Sequence, residues 1–305
     1  MVFLMGLLAV FDMTIALQCP NSNLSEDDRN FILNLHNSAR SNVAKGLEPN
    51  GPPSNNANVP GASNMYKLSY DCKAEAIIQA YTDKCVDEHS FVNTENLWNG
   101  GQGVWWGIRD ALNSAGTIWW AELRQNGVTN TVISNYTFNG GIVGHWSAMA
   151  WADATRIGCG VTNCTTDGTK WTLASCVYFW RANMAGSPIW NIGNACAVDS
   201  DCSYYLNSTC DISTSLCQAQ CVNYLPDASC NSYVASGYCD SSSQYSSWVQ
   251  QRCPVACNSC PVDPLKPDAQ ITCQDAQTYC PNWQAQGYCS TSSPILINKT
   301  LYKKF

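Results

Sequence analysis

The chain has 305 residues, of which 45% are apolar and only 13% charged, with a net charge of −7 and 19 cysteines. That length and apolar content suffice for one sizeable core plus one or two small units, and exclude a disordered chain. The acidic balance, with pI near 4.8, offers no basic surface for a phosphate backbone or an anionic membrane, so no nucleic acid is expected as a partner.

Most of the cysteines lie between Cys196 and Cys289, a density that points to an oxidising compartment. Residues 1–16 are apolar, too short to span a bilayer, and end in the small residues Thr14 and Ala16, so they read as a signal peptide. No later segment is long and apolar enough for a transmembrane helix. Sequons at Asn23, Asn135, Asn163, Asn207 and Asn298 fit passage through the secretory pathway and are candidate glycosylation sites. At Asn163 a disulfide through Cys164, inside the sequon, would hinder modification.

In chain order, Ser25-Glu26-Asp27-Asp28 reads as a capping box opening a helix whose apolar residues are Phe31, Leu35 and Ala39. Arg40 and Lys45 suit its end, and Gly46 stops it. A polar, Pro/Gly-rich loop covers 46–64. A second helix is expected from about Ser69 to Cys85, with Ala76, Ile77, Ala80 and Tyr81 as its apolar face. Cys72 and Cys85 would then lie roughly 20 Å apart along the helix, beyond the ~6 Å Cα separation a disulfide permits. A third helix is expected from about Trp106 to Gln125, carrying Ala111, Ala115, Ile118, Trp119 and Glu122. Arg156–Val161 and Trp171–Phe179 read as strands of a hairpin turning at Asp167-Gly168. Helices first and a hairpin late predict an α+β fold; a parallel α/β sheet would need strands alternating with the helices.

Four cysteines (196, 202, 210, 217) follow in 191–220, then six (221, 230, 239, 253, 257, 260) in 221–260, a segment so small that it folds alone only if stapled. A linker (261–272) leads to Cys273, Cys280 and Cys289. Gly237-Tyr238-Cys239 recurs as Gly287-Tyr288-Cys289, so 273–305 holds an internal repeat that stops halfway, with an unrelated tail.

Gly144-His145-Trp146-Ser147, continuing to Trp151 and then Gly158-Cys159, resembles a signature of the CAP superfamily: cysteine-rich secretory proteins, insect venom allergens and plant pathogenesis-related proteins. Ser175 to Trp190 is similar to the family's second signature, and His36 to Arg40 to its first helix. The resemblance covers about 24–190 and implies an α-β-α sandwich with a cleft lined by His89, Glu95, Glu122 and His145. Two neutral imidazoles beside carboxylates suit Zn²⁺, with the Glu side chains fixing bound water. The alternative is a hydrogen-bonded polar cluster that organises the cleft. His36 reads as structural. Ala154 and Val177 depart from the family pattern and place the chain in a divergent branch.

A hydrolase would use Ser147 or Ser90 beside a histidine, but no Asp has a recognisable triad role and no nucleophile elbow is present. Trp98, Trp105, Trp106, Trp119 and Trp120 would line a groove for a sterol or fatty acid, or fill the core. Residues 221–260 resemble the ShKT fold of a sea-anemone channel toxin, and 191–220 resemble the hinge that follows many CAP domains, an arrangement similar to nematode venom-allergen-like secreted proteins. Ser247 and Trp248 stand where channel-blocking toxins carry a Lys-Tyr pair, so a spacer or protein-binding module is preferred over channel block. The resemblance suggests the pairs Cys159–Cys176, Cys72–Cys164, Cys19–Cys85, Cys196–Cys210, Cys202–Cys217, Cys221–Cys260, Cys230–Cys253 and Cys239–Cys257. Cys273, Cys280 and Cys289 are left without closing partners, or pair between chains. The reading is a secreted, non-enzymatic binding protein for a divalent metal or small apolar ligand, with an extracellular or cell-surface protein as partner of its C-terminal modules.

Overall fold

The computed structural model describes residues 19–20, 22–52, 57–90, 94–137, 142–179, 182–261 and 264–265. The expected leader, Cys273, Cys280, Cys289 and Asn298 lie outside them. Helix α1 (Glu26–Ala44) opens with the anticipated capping box: the Ser25 hydroxyl accepts from the Asp28 amide and the Asp28 carboxylate from the Ser25 amide. Its buried face is rotated from the apolar one read in the sequence. It runs through Arg29, Ile32, His36, Arg40 and Val43, while Phe31 and Leu35 flank it half-buried.

After strand β1 (Ala62–Ser63), the expected second helix begins late. Ser69–Tyr70 is strand β2, and Asp71 then caps helix α2 (Cys72–Thr82), its carboxylate accepting from the Lys73 and Ala74 amides. Strand β3 (Thr94–Gly100), helices α3 (Ile108–Asn126), α4 (Asn130–Ser134) and α5 (Gly144–Ala150), and strands β4 (Arg156–Thr166), β5 (Thr169–Phe179) and β6 (Asn191–Ile192) complete the main unit. The sheet order is β2-β4-β5-β3, with β2 parallel to β4 and the other pairs antiparallel, while β1 pairs with β6 apart from it. The β4–β5 hairpin turns through Asp167 and Gly168, both at positive φ (48° and 77°), as a tight two-residue turn requires. Helix α2 covers one face of the sheet, and α3 and α5, with α1 against them, cover the other. The result is the α-β-α sandwich.

The face of α2 that meets the sheet is Ala74, Glu75, Ile78, Gln79 and Thr82, whereas Ala76, Ile77 and Ala80 are exposed. Polar groups with fixed partners account for the correction. Glu75 forms a buried two-pronged ion pair with Arg29 (2.7 and 2.9 Å) and accepts from the Tyr70 hydroxyl (2.7 Å). Gln79 bonds Val161 and Thr162 of β4. Close approach is possible because β4 carries Gly158 and Gly160: a Cβ at either would collide with the α2 backbone at Glu75 or Gln79.

Arg40 is not a helix-end charge. It is fully buried, and its guanidinium donates to five carbonyl oxygens: Tyr66, Met149, Trp151, Ala152 and Ala154 (2.8–3.1 Å). Burial pulls its pKa down to about 9, with the Asp153 charge opposing the shift, so it is a cation at neutral pH. One turn earlier, His36 contacts the Ile32 carbonyl (2.8 Å) and the Tyr178 hydroxyl (2.9 Å), and Asn37 bonds both the amide and the carbonyl of Leu68.

Two expected disulfides are corrected: the structure joins Cys19 to Cys72 (Cα–Cα 5.1 Å) and Cys85 to Cys164 (5.6 Å), in place of Cys19–Cys85 and Cys72–Cys164. The reason is the direction of α2 along β4. Glu75 lies over Gly158, Gln79 over Gly160 and Thr82 beside Thr162, so Cys85 arrives at Cys164 while Cys72 stays at the far end of the helix. The remaining bridges are Cys159–Cys176, Cys196–Cys210, Cys202–Cys217, Cys221–Cys260, Cys230–Cys253 and Cys239–Cys257. Asn23, Asn135, Asn163 and Asn207 are all exposed.

Strands β7 (Thr209–Asp211) and β8 (Leu216–Gln218) form a small ribbon that docks on the sandwich. Cys217 exchanges backbone hydrogen bonds with Met65 and Lys67, Lys67 pairs with Asp211 (2.8 Å), and Tyr205 donates to the Asp153 carbonyl (2.6 Å). Helices α6 (Asp227–Ala235) and α7 (Ser246–Arg252) follow, their core made of Cys230, Val249 and Cys253 with Tyr233, Tyr238 and Trp248 against it. Trp248 packs edge-on to Tyr233 (5.9 Å) and under the Arg252 guanidinium, which is a structural use of that ring.

Non-reducing peptide mapping of the oxidised full-length protein should recover Cys19–Cys72 and Cys85–Cys164; recovery of Cys72–Cys164 would reverse the assigned direction of α2. A second expectation concerns acid. Burial depresses the His36 pKa to about 4, so the unfolded chain takes up its proton below about 6.5 while the native state resists until about 4. Stability should therefore fall by about 3 kcal/mol from this group between those limits and change no further below them. Urea titrations across that range should show a flatter pH dependence in His36→Gln than in wild type; equal slopes would refute it.

Candidate functional site

The four residues singled out in the sequence form two histidine–carboxylate pairs. Glu122, near the end of α3, reaches the start of α5. Its Oε2 accepts from the His145 and Trp146 amides (both 2.9 Å), and its Oε1 lies 2.5 Å from His145 Nδ1. One carboxylate thus caps a helix and fixes an imidazole. Trp119, one turn earlier on α3, stacks on the His145 ring (centroids 6.1 Å apart, planes at 18°).

Glu95 lies on β3 and is almost wholly buried. Its Oε2 accepts from the amide and hydroxyl of Ser90 (both 2.6 Å) and its Oε1 from the Ser175 hydroxyl on β5 (2.7 Å). His89 Nδ1 stands 3.8 Å from Oε2, a charge contact and not a hydrogen bond. The Glu95 carboxylate raises the His89 pKa, against the opposing effect of desolvation. Burial alone would raise the Glu95 pKa, but His89, Ser90 and Ser175 outweigh it and hold the carboxyl below its ordinary range. Next to Glu95, Asn96 donates to the His145 carbonyl (2.9 Å) and the Tyr178 hydroxyl (3.0 Å), the same hydroxyl that meets His36. Sequence reading missed Ser90, Asn96, Trp119 and Ser175 as supports for the tetrad; the adjacency of Ser90 to His89 and of Asn96 to Glu95 was the available signal.

Both Nδ1 atoms therefore face carboxylates, and neither Nε2 has a hydrogen-bond partner among the described residues. That arrangement fits a divalent metal, because ligating imidazoles commonly hold a carboxylate on the other ring nitrogen. In both pairs the carboxylate stands at the Nδ1 side of the ring. No three ligand atoms of the tetrad lie within 4.8 Å of one another among the described residues, so the site is open and not a closed structural zinc site. Cys196, Cys202 and Cys210 do cluster that closely, but all are consumed in disulfides and supply no thiolate.

Ser147 is fully buried and donates to the Gly144 carbonyl (3.1 Å) and Asn183 Oδ1 (2.7 Å). Neither it nor Ser90 contacts an imidazole among the described residues. The tryptophans divide. Trp119 belongs to the core, and Trp98 packs edge-on to Trp106 (5.4 Å). Exposed Trp105 and Ile118, with Val104, line an open groove of about 600 Å³. Trp120 donates to the buried Glu48 carboxylate (2.9 Å) at a groove of about 380 Å³ between α1 and α3, floored by Leu35 and Ala39.

The His89–Glu95 pair stabilises the fold in a defined window. Its contribution is lost as pH rises through the elevated His89 pKa, and lost again as pH falls through the depressed Glu95 pKa. NMR titration should show the His89 midpoint falling in Glu95→Gln, and an unchanged midpoint would show that the carboxylate does not govern the ring.

Residues 33–180 match the sequence model of the cysteine-rich secretory protein family (CAP), and residues 220–260 and 272–298 match the model described as ShK domain-like. The chain is 33% identical over 205 residues to Ancylostoma secreted protein of Ancylostoma caninum, a match that spans 63% of this chain and 43% of that protein. The crystal structure of Na-ASP-1 superposes with a TM-score of 0.60 at 29% identity, covering 69% of this chain and 49% of that one. The crystal structure of NaASP2 with Zn²⁺ gives 0.53 at 29% identity, covering 66% of this chain and all of its own. The chain thus spans about half or less of the first two relatives. These matches, with the sandwich, identify residues 33–180 as a CAP domain, followed by ShK domain-like sequence.

Proposed function

We propose that the protein is a secreted, non-catalytic binding protein whose CAP cleft takes a divalent metal, zinc in the first instance, through Nε2 of His89 and His145. The observation that carries this reading is a carboxylate at the Nδ1 side of each ring, within hydrogen-bond distance of His145 and in charge contact with His89, which leaves both Nε2 atoms for a ligand. Zinc in the related NaASP2 structure supports it. Water fills the remaining coordination positions, so binding is weak and exchangeable. The engagement of Ser147 and Ser90 by other groups argues against a serine nucleophile. Eight disulfides among the described residues support extracellular residence, and the stapled C-terminal unit is the surface for an extracellular protein partner.

A second ligand class, a sterol or fatty acid, rests on the open groove of about 600 Å³ beside α3, whose apolar strip is Val104, Trp105 and Ile118. Organic extraction of the secreted protein followed by mass spectrometry tests it; a lipid-free extract and no uptake of added sterol or fatty acid would dismiss it.

Calorimetry with zinc should show one weak site in wild type and none in the His89→Ala/His145→Ala double variant. Glu122→Gln, which keeps the ring but removes the charge behind it, should weaken zinc about tenfold or more. Equal affinity in wild type and the double variant would sink the metal reading.

A further inference from the structure

The open groove of about 600 Å³ beside the start of α3 has a polar wall as well as its apolar strip. Within the strip, Trp105 is 49% exposed yet held in place. Its Nε1 donates to the Cys164 carbonyl (2.8 Å), and the backbone around it is tied to β5 by Gly103 N–H to the Lys170 carbonyl (2.8 Å) and Trp106 N–H to the Thr172 hydroxyl (2.9 Å). The Lys170 ammonium lies 4.2 Å from the centroid of the Trp105 ring and does not line the groove, so the other face of the indole is the one open to a ligand. The polar wall is the exposed side of α3, where Asp110, Asn113 and Thr117 follow one another at helical spacing. None of these three side chains has a hydrogen-bond partner among the described residues, and Asp110 is the one titratable group among the described residues that line the groove. Arg109, its neighbour in sequence, is engaged by Asp28 (2.8 Å) and Phe31.

A fixed aromatic face thus meets a carboxylate, an amide and a hydroxyl with unspent hydrogen-bonding capacity. Hydrocarbon laid across both walls would cut the carboxylate and the amide off from water without replacing their hydrogen bonds, so a purely apolar ligand uses the strip alone. A pyranose ring matches both walls. Its axial C–H bonds form an apolar face that packs on the electron-rich face of an indole, while the hydroxyls around its rim donate to a carboxylate and exchange hydrogen bonds with an amide or a hydroxyl. An N-acetyl substituent adds a methyl group for Val104 and Ile118 and an N–H donor for Asp110. The Asp110 charge selects against an anionic sugar.

We propose that this groove is a binding site for a neutral oligosaccharide of N-acetylhexosamine units. One pyranose ring stacks on Trp105, and its hydroxyl and amide groups bond Asp110 and Asn113. The site is separate from the tetrad and needs no metal.

The test is calorimetry and saturation-transfer NMR of the full-length protein, in the presence of a chelator, with tri-N-acetylchitotriose and with cellotriose, which has the same backbone without the acetamido groups. Tri-N-acetylchitotriose should bind at millimolar concentration, about fivefold or more tightly than cellotriose, with the strongest transfer into its ring C–H protons. Asp110→Asn, which keeps the shape and removes the charge, should weaken it about tenfold. Asn113→Leu, at an exposed helical position that leucine favours, should weaken it about fivefold, while far-UV circular dichroism and Tm do not fall, so the loss cannot be ascribed to misfolding. Equal affinity for the two sugars, undiminished binding in Asp110→Asn or in Asn113→Leu, or no binding of tri-N-acetylchitotriose at millimolar concentration would each overturn the proposal. Its failure would leave the zinc reading standing, since the chelator removes metal from every arm.

Discussion

The fold depends on a single buried cation. Arg40 projects from α1 into the sandwich and gathers five carbonyl oxygens, four of them from the six-residue stretch Met149–Ala154 that ends α5 and leads to β4. A buried guanidinium without donors satisfied would be prohibitive, and inward-turned carbonyls without a donor would be nearly as costly. Each therefore fixes the other. Turning those carbonyls inward ends α5 at Ala150, starts β4 at Arg156 and sets Asp153 within hydrogen-bond reach of Tyr204 and Tyr205. The fifth carbonyl, on Tyr66, ties in the segment that hydrogen-bonds to Cys217.

The candidate site follows from that arrangement. With the C-terminal end of α5 fixed, its N-terminal end falls within reach of Glu122, which caps the helix and holds His145 in one contact set. The second pair is anchored by the sheet, through Glu95 and the Ser175 hydroxyl of the neighbouring strand. Asn96, Tyr178 and His36 connect the two regions through hydrogen bonds back to α1. His145 is thus held between two helices, whereas His89 is exposed on the loop before β3 and meets the anchored Glu95 carboxylate.

The hairpin and the start of α1 were legible from local patterns, an Asp-Gly turn and a capping box, while the layer order and the four cleft residues came from the family resemblance of the Gly-His-aromatic run. It hid the buried faces of α1 and α2. Hydrophobic periodicity selects Phe31, Leu35 and Ala39, yet the inward face includes Arg29, His36 and Arg40, whose partners lie far along the chain. The same blindness placed Ala76 and Ile77 inside in preference to Glu75 and Gln79. The bridges of Cys72 and Cys85 were legible only in part: the helix between them separates the two sulfurs, but which end meets Cys164 depends on the direction of α2 along β4. Gly158 and Gly160 set that contact, and nothing local to the helix reveals it.

The account's central claim is that the Arg40 guanidinium organises the sandwich. Equilibrium unfolding of Arg40→Met in the full-length protein tests it most directly, since methionine keeps much of the apolar stem and removes the donors. Orphaning that set of buried carbonyls should cost more than about 3 kcal/mol, enough to depress secretion sharply. A variant that is secreted normally and unfolds within about 1 kcal/mol of wild type would contradict the account, because surface-like tolerance of that size belongs to residues with no buried network to break.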